Sequence, residues 1–221
     1  YVQNEAQFVG LVSDSNGAYY YIDETKKAVR GESRRVDRFR ANRLLPVGTW
    51  SFGEDGAMTN APTLLAGDDM LNGLIRLANG TVQYLQNGEP TFAGLVRSDA
   101  GDYYFIGPSK RALSNITYTF PTKYTNGLLP AGTYTFDSTG KIAQLPELLA
   151  GDDYRNGLVR MPDGKVQYFR NGQSAFAGLV KSNAGDYYFI DPTGQAVRNR
   201  EYAFSAQYAN GLLPAGTYIF D

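Results

Sequence analysis

Large apolar and polar residues alternate in short bursts along this chain, and almost every burst opens on a glycine. Gly80-Thr81-Val82-Gln83-Tyr84-Leu85, Gly101-Asp102-Tyr103-Tyr104-Phe105-Ile106 and Gly132-Thr133-Tyr134-Thr135-Phe136 show the pattern. Side chains on a strand point to opposite faces in turn, so the second and fourth residues after each glycine share a face. Those residues are Val82 with Tyr84, Tyr103 with Phe105, and Tyr134 with Phe136, which predicts that they face the core. Turn-forming segments follow, such as Asp137-Ser138-Thr139-Gly140 and Asp191-Pro192-Thr193-Gly194, and then a short returning stretch such as Gln195-Ala196-Val197. Each piece therefore reads as a β-hairpin. Leu145 to Asp153 does not alternate in this way and is expected to be a loop or one helical turn.

The bursts repeat at a fixed offset of about 84 residues. Phe92-Ala93-Gly94-Leu95-Val96 returns as Phe176-Ala177-Gly178-Leu179-Val180, and the same register reaches back to Phe8-Val9-Gly10-Leu11-Val12. Between Asn72–Asp137 and Asn156–Asp221 about 40 of roughly 66 positions are identical, more than shared propensity produces. Glycine-leucine steps at Gly73, Gly94 and Gly127, and again at Gly157, Gly178 and Gly211, divide each long unit into three pieces. The expected fold is all-β: a β-hairpin repeat solenoid built from an approximately 84-residue unit of three hairpins. Residues 1–53 form a partial first repeat, 54–137 the second and 138–221 the third, in one continuous array. Tyr1 corresponds to Leu85 and Asp221 to Asp137, so the chain is expected to be a piece of a longer protein.

Composition narrows the function. The 221 residues carry a net charge of −1, which argues against a nucleic-acid partner. No apolar run is long enough for a transmembrane segment. There is no histidine and no cysteine, which removes the usual triads, zinc sites and thiol nucleophiles, so the chain is read as not an enzyme and without a cofactor.

Gly164-Lys165-Val166-Gln167-Tyr168-Phe169-Arg170-Asn171-Gly172-Gln173, followed by Gly178-Leu179-Val180, resembles the cell-wall-binding repeats of choline- and glucan-binding proteins of Gram-positive bacteria. The repetitive oligopeptides of large clostridial toxins are similar. This chain resembles a divergent version with long inserts, and its single tryptophan is Trp50. The resemblance implies a hairpin solenoid, an extracellular or cell-surface bacterial location, and a glycan or cell-envelope polymer as partner.

Candidate ligand residues are aromatics at positions where alternation predicts exposure. Tyr20, Tyr104 and Tyr188 are third after their glycines, where the other pieces have Gln83, Gln167, Ser51 and Thr135. Each ring either stacks on a sugar face or packs beneath an insert of its own unit. Trp50 is a further candidate. Tyr118 and Tyr202 lie in the long inserts, where strand-like alternation with Phe120 and Phe204 also fits burial. Asp102 and Asp186, with Arg76, Arg160, Arg97 and Lys181, are repeated charges suited to sugar hydroxyls. The first copy replaces the insert aromatics by a run holding Arg30, Arg34, Arg35, Arg38, Arg40 and Arg43, which reads as a solvated face or as a site for a phosphate polymer. Asp68-Asp69 and Asp152-Asp153 are read as turn or cap residues rather than as paired catalytic carboxylates. Asp14-Ser15-Asn16-Gly17 is read as a turn rather than a calcium loop. Repeated weak aromatic sites binding a carbohydrate or cell-wall polymer are the leading reading, and a structural spacer or adhesin stalk with a protein partner is the alternative.

Overall fold

The aspartate-led turns close hairpins by one repeated device. Asp23 Oδ1 accepts the backbone N–H of Thr25 (2.8 Å) and Lys27 (3.2 Å) and the Thr25 hydroxyl (2.7 Å). Asp137 Oδ1 does the same with Thr139 and Lys141, and Asp14 Oδ1 accepts from Asn16 and Ala18. A short side-chain acceptor thus holds the bend while the strands on either side pair.

The computed structural model describes residues 8–221; Tyr1, equated above with Leu85, lies outside them. Contacts divide the chain into two units, Tyr1–Ser114 and Asn115–Asp221. In the first, β1 (Gly10–Ser13) pairs with β2 (Tyr19–Ile22) and β3 (Ser33–Val36) with β4 (Gly48–Ser51). A four-stranded sheet follows: β5 (Thr63–Asp69), β6 (Asn72–Arg76), β7 (Val82–Gln86) and β8 (Glu89–Thr91). The hairpin of β9 (Gly94–Arg97) and β10 (Tyr103–Ile106) completes this unit.

The second unit opens with the hairpin of β11 (Ile116–Phe120) and β12 (Gly132–Phe136). Its four-stranded sheet is β13 (Glu147–Asp153), β14 (Asn156–Arg160), β15 (Val166–Arg170) and β16 (Gln173–Ser174). Two hairpins remain: β17 (Gly178–Lys181) with β18 (Tyr187–Ile190), and β19 (Arg200–Phe204) with β20 (Gly216–Phe220). All pairings are antiparallel, and no α-helix occurs among the described residues. Short 3-10 turns at Thr122–Tyr124 and Ala206–Tyr208 lie in the long inserts.

Three expectations change. The piece opening at Gly73-Leu74 is not a lone hairpin; its strand is β6, inside a four-stranded sheet, and β14 is placed alike. The segment 147–153, expected as a loop or helical turn, is strand β13. Two register shifts, between Leu148 and Ala150 and between Gly151 and Asp153, break its alternation, and β5 carries the same two shifts. Finally, Gly127-Leu128 and Gly211-Leu212, read as dividing each unit into pieces, fall inside the β11–β12 and β19–β20 hairpins. They lie in the turns of the long inserts, where Leu128 N–H donates to Thr125 O and Leu212 N–H to Ala209 O.

The cores are small and local. Leu74, Val82, Tyr104 and Ile106 form one cluster with Leu65, Ala66, Tyr84 and Val96, joining the β9–β10 hairpin to the β5–β8 sheet. Backbone bonds from Asp99 N to Leu65 O (2.9 Å) and Ala112 N to Val82 O (2.8 Å) fix this docking. Leu11, Tyr21, Val36, Leu45, Trp50 and Phe52 form a second cluster, and Leu179, Phe189, Phe204 and Phe220 a third in the second unit. Of the residues predicted to face inward, Val82, Phe105, Tyr134 and Phe136 are buried, whereas Tyr84 and Tyr103 are half-buried.

The glycine of the Gly-Leu step has a packing reason at Gly178. Its φ is +68°, and a β-carbon there would lie 2.5 Å from the carbonyl oxygen of Tyr208. Glycine lets the insert backbone descend onto the start of β17. Gly178→Ala should therefore lower stability by roughly 2 kcal/mol or more, seen as a fall in the urea midpoint at unchanged slope.

The turn carboxylates make stability depend on acid. The Thr25 hydroxyl bond, with the backbone donors, holds Asp23 below its ordinary value. At Asp137 burial pushes the carboxyl up but is outweighed by the bonds from Thr139 and Lys141, so it too lies low. Lowered folded values mean that this stabilisation is complete above the unfolded carboxylate pKa of about 4 and is lost as pH falls through the folded values. Between about pH 6 and pH 2, Tm should fall more steeply for the unmodified chain than for the Asp23→Asn, Asp137→Asn double variant.

Candidate functional site

The first long insert, residues 37–47 between β3 and β4, has an unusual tip. Asn42 and Arg43 both adopt left-handed backbone, with φ of 49° and 57°. The equivalent pairs are Asn126-Gly127 (50° and 71°) and Asn210-Gly211 (51° and 70°). Arginine in place of glycine in that conformation costs about 1 kcal/mol. The strain places a guanidinium on the wall of a cleft.

That cleft lies within the first unit, between the insert and the turns of the β5–β8 sheet. Its larger part encloses about 510 Å³ and is lined by Arg38, Phe39 and Arg43 on one side and by Leu71, Asn72 and Glu89 among the residues opposite. Phe39, 93% exposed, stands beside it. A smaller part of about 260 Å³ shares Pro46, Val47, Gly88 and Glu89 and continues to Trp50, Asn60, Leu77, Asn79 and Gln83. The floor is tied down. Asp69 Oδ1 accepts the N–H groups of Leu71 (2.7 Å) and Asn72 (2.8 Å), Asn72 Oδ1 accepts Asn87 N–H (2.9 Å), and Gly88 N–H donates to Leu71 O (2.9 Å).

Trp50 is 5% exposed, and its indole Nε1 is buried with no hydrogen-bond partner. Its counterparts are satisfied: the Tyr134 and Tyr218 hydroxyls donate to Pro130 O and Pro214 O, each at 2.9 Å. Pro46 occupies the matching position before Trp50, but the indole donor makes no such bond. A buried donor without an acceptor is costly, so replacing tyrosine by tryptophan here acts against stability. The equivalent space in the second unit is used differently, because Arg155 stands where the first unit has Leu71. A β-carbon on Gly127 would lie 3.2 Å from Arg155 Nη1.

The predicted tyrosines fare unequally. Tyr104 is 1% exposed, so its predicted outward position does not hold. The β5–β8 sheet covers that face of β10, and Arg76 Nη2 donates to the Tyr104 hydroxyl at 3.1 Å. Tyr188 is half-buried and receives the same bond from Arg160 at 3.2 Å. Tyr20 is half-buried, and its hydroxyl lies 3.4 Å from Asp14 Oδ2; burial, and then the Asp14 charge, push it above its ordinary pKa. Tyr118 faces Tyr134 across the β11–β12 pair, and Tyr202 packs on Phe189 with centroids 4.7 Å apart.

The repeated charges are partly accounted for inside the fold. Arg76 and Arg160 bond the two tyrosine hydroxyls, while Arg97 lies 5.6 Å over the Tyr103 ring and Lys181 5.4 Å over Tyr187. The backbone N–H groups of Asp102 and Asp186 donate to Ser98 Oγ and Ser182 Oγ, both at 3.1 Å, and the Asp186 side chain is exposed. Asp69 and Asp153 each accept two turn N–H groups, as cap residues do. No cluster of metal-ligating side chains occurs among the described residues. Of the predicted aromatic and acidic ligand residues, the structure brings Trp50 to the cleft, and of the arginine run it brings Arg38 and Arg43. Gln83, Asn60 and Glu89, which also line it, were not singled out; Arg43 was visible as a departure from the repeated Asn-Gly pair.

No family model and no curated protein matches the chain. Among solved structures, alternansucrase in complex with isomaltononaose is similar at 16% identity and a TM-score of 0.29, over 91% of this chain and 15% of that one. CbpJ from Streptococcus pneumoniae is 16% identical with a TM-score of 0.33, over 86% and 48%. The choline-binding domain of CbpL from Streptococcus pneumoniae is 15% identical with a TM-score of 0.33, over 88% and 89%. The chain thus spans less than half the length of the first two.

Burial of Tyr104 has a direct consequence. Tyr104→Ala should destabilise by about 3–5 kcal/mol in chemical denaturation, as expected of a core aromatic. Tyr104→Phe, which leaves the Arg76 guanidinium without that acceptor, should cost about 1 kcal/mol.

Proposed function

We propose that this chain is a non-catalytic module of a bacterial surface or secreted protein that binds carbohydrate or another cell-wall polymer. In this reading it is a repeat array in which 54–137 and 138–221 are full copies and 1–53 is a partial one. The observation that carries the proposal is the cleft of the first unit. Its smaller part combines apolar walls, Leu77, Pro46 and Pro90, with the amide of Gln83, while the Asn60 and Asn79 amides beside it are held by backbone bonds to Ser51 and Thr81. A sugar offers an apolar ring face rimmed by hydroxyls that both donate and accept, and amide side chains match both roles. Resemblance of the glycine-led strands to cell-wall-binding repeats supports the same ligand class.

Tyr20, Tyr188, Tyr118 and Tyr202 are assigned as accessory stacking faces, with Asp102 and Asp186 as hydroxyl partners. Tyr104 is left out, because a ring sealed beneath the sheet meets no ligand. Such sites are individually weak, and a polymer that engages more than one gains through local concentration. Titration calorimetry with peptidoglycan fragments and a size ladder of isomalto-oligosaccharides tests this. Affinity should rise with chain length, and Gln83→Ala should weaken it about tenfold, or about 1.4 kcal/mol, with little change in Tm. Absence of binding to every fragment at millimolar concentration, or an unaltered affinity in Gln83→Ala, would sink the proposal.

A further inference from the structure

The first-unit cleft departs from its relatives within the same chain at three positions, and each departure changes what it can hold. Arg43 stands in left-handed backbone where the others have Gly127 and Gly211. Trp50 buries an indole donor without an acceptor where Tyr134 and Tyr218 bond a proline carbonyl. Leu71 replaces Arg155, whose guanidinium approaches the matching glycine in the second unit. The first two changes act against stability. Backbone strain at Arg43, which sets its side chain on the cleft wall, points to a ligand that uses the guanidinium.

We infer that the cleft selects an acidic saccharide polymer, one whose repeat bears a carboxylate or a phosphodiester beside its hydroxyls. Arg38 and Arg43 line the larger part, and no ion pair engages either among the described residues, unlike Arg34 and Arg40, which pair with glutamates. Two guanidiniums at one wall bind an oxyanion through charge-assisted hydrogen bonds. Beyond them Gln83 and Glu89 offer a donor and acceptors for hydroxyls, and Trp50 is part of the wall of the smaller part. Glu89 belongs to both parts and accepts hydroxyl protons while discouraging a second anion next to the first. The inference rests on reading the cleft as a glycan site and adds the charge of the glycan.

Trp50 is the only tryptophan, so intrinsic fluorescence reports cleft occupancy in the full chain. Three probes separate the possibilities: oligogalacturonate for the carboxylate, poly(glycerol phosphate) for the phosphodiester, and dextran as the neutral polymer. At least one acidic probe should shift the emission and bind about tenfold or more tightly than dextran, with affinity falling as salt rises. The acidic probe that binds better identifies the source of the anion. Arg43→Gly, which restores the glycine of the equivalent turns, should weaken acidic binding about tenfold while raising Tm. Arg38→Gln should weaken it with Tm unchanged. Dextran binding as tightly as both acidic probes would overturn the inference and leave the glycan reading standing, whereas silence of Trp50 toward all three would remove both. A joint fall of Tm and affinity in Arg43→Gly would show that Arg43 serves the fold and would also overturn it.

Discussion

A two-stranded hairpin of four or five residues per strand cannot bury its own side chains, and this constraint governs the whole arrangement. Each hairpin borrows its missing neighbour through a few backbone hydrogen bonds sent across from adjacent segments. Asp99 N–H reaches Leu65 O and Asn183 N–H reaches Leu149 O; Ala112 N–H reaches Val82 O and Ala196 N–H reaches Val166 O. The same two links at equivalent places in the two units show that docking is encoded with the strands.

The alternation of large residues after glycine was enough to locate β7, β10 and β12 and the faces of Val82, Phe105 and Tyr134. It failed where a residue is covered on both sides. Tyr104 follows the exposed phase of its strand, yet a sheet laid over that face buries it, and period-two reading registers only one covered face. The residues 147–153 were obscured for another reason: two bulges advance the phase inside a seven-residue strand, so its apolar residues do not alternate. Gly127-Leu128 looked like a division between pieces because glycine serves both close approach and left-handed turns, and the letters alone do not say which.

The cleft was less legible than the fold. Trp50 stood out by being unique, but its orphaned N–H depends on how an indole sits where tyrosine would reach a proline carbonyl. Gln83 looked like an ordinary outward strand residue until the insert was seen to face it. Arg43 is the instructive position. In isolation it is one of six arginines in a run, and only alignment with Gly127 and Gly211, together with its positive φ, separates it from solvated neighbours such as Arg35.

Eight separate sheets among the described residues leave many strand borders, which in an aromatic-rich protein invite association edge to edge. Here those borders are brief and interrupted: Met58 N–H bonds Tyr19 O beside β2, Ala112 meets Val82, and Gln195 bridges Gln167. An extended foreign peptide looking for a continuous row of free amides would find only a few residues before the next crossing segment. The links that dock one hairpin on another therefore also shorten the borders open to edge-to-edge pairing.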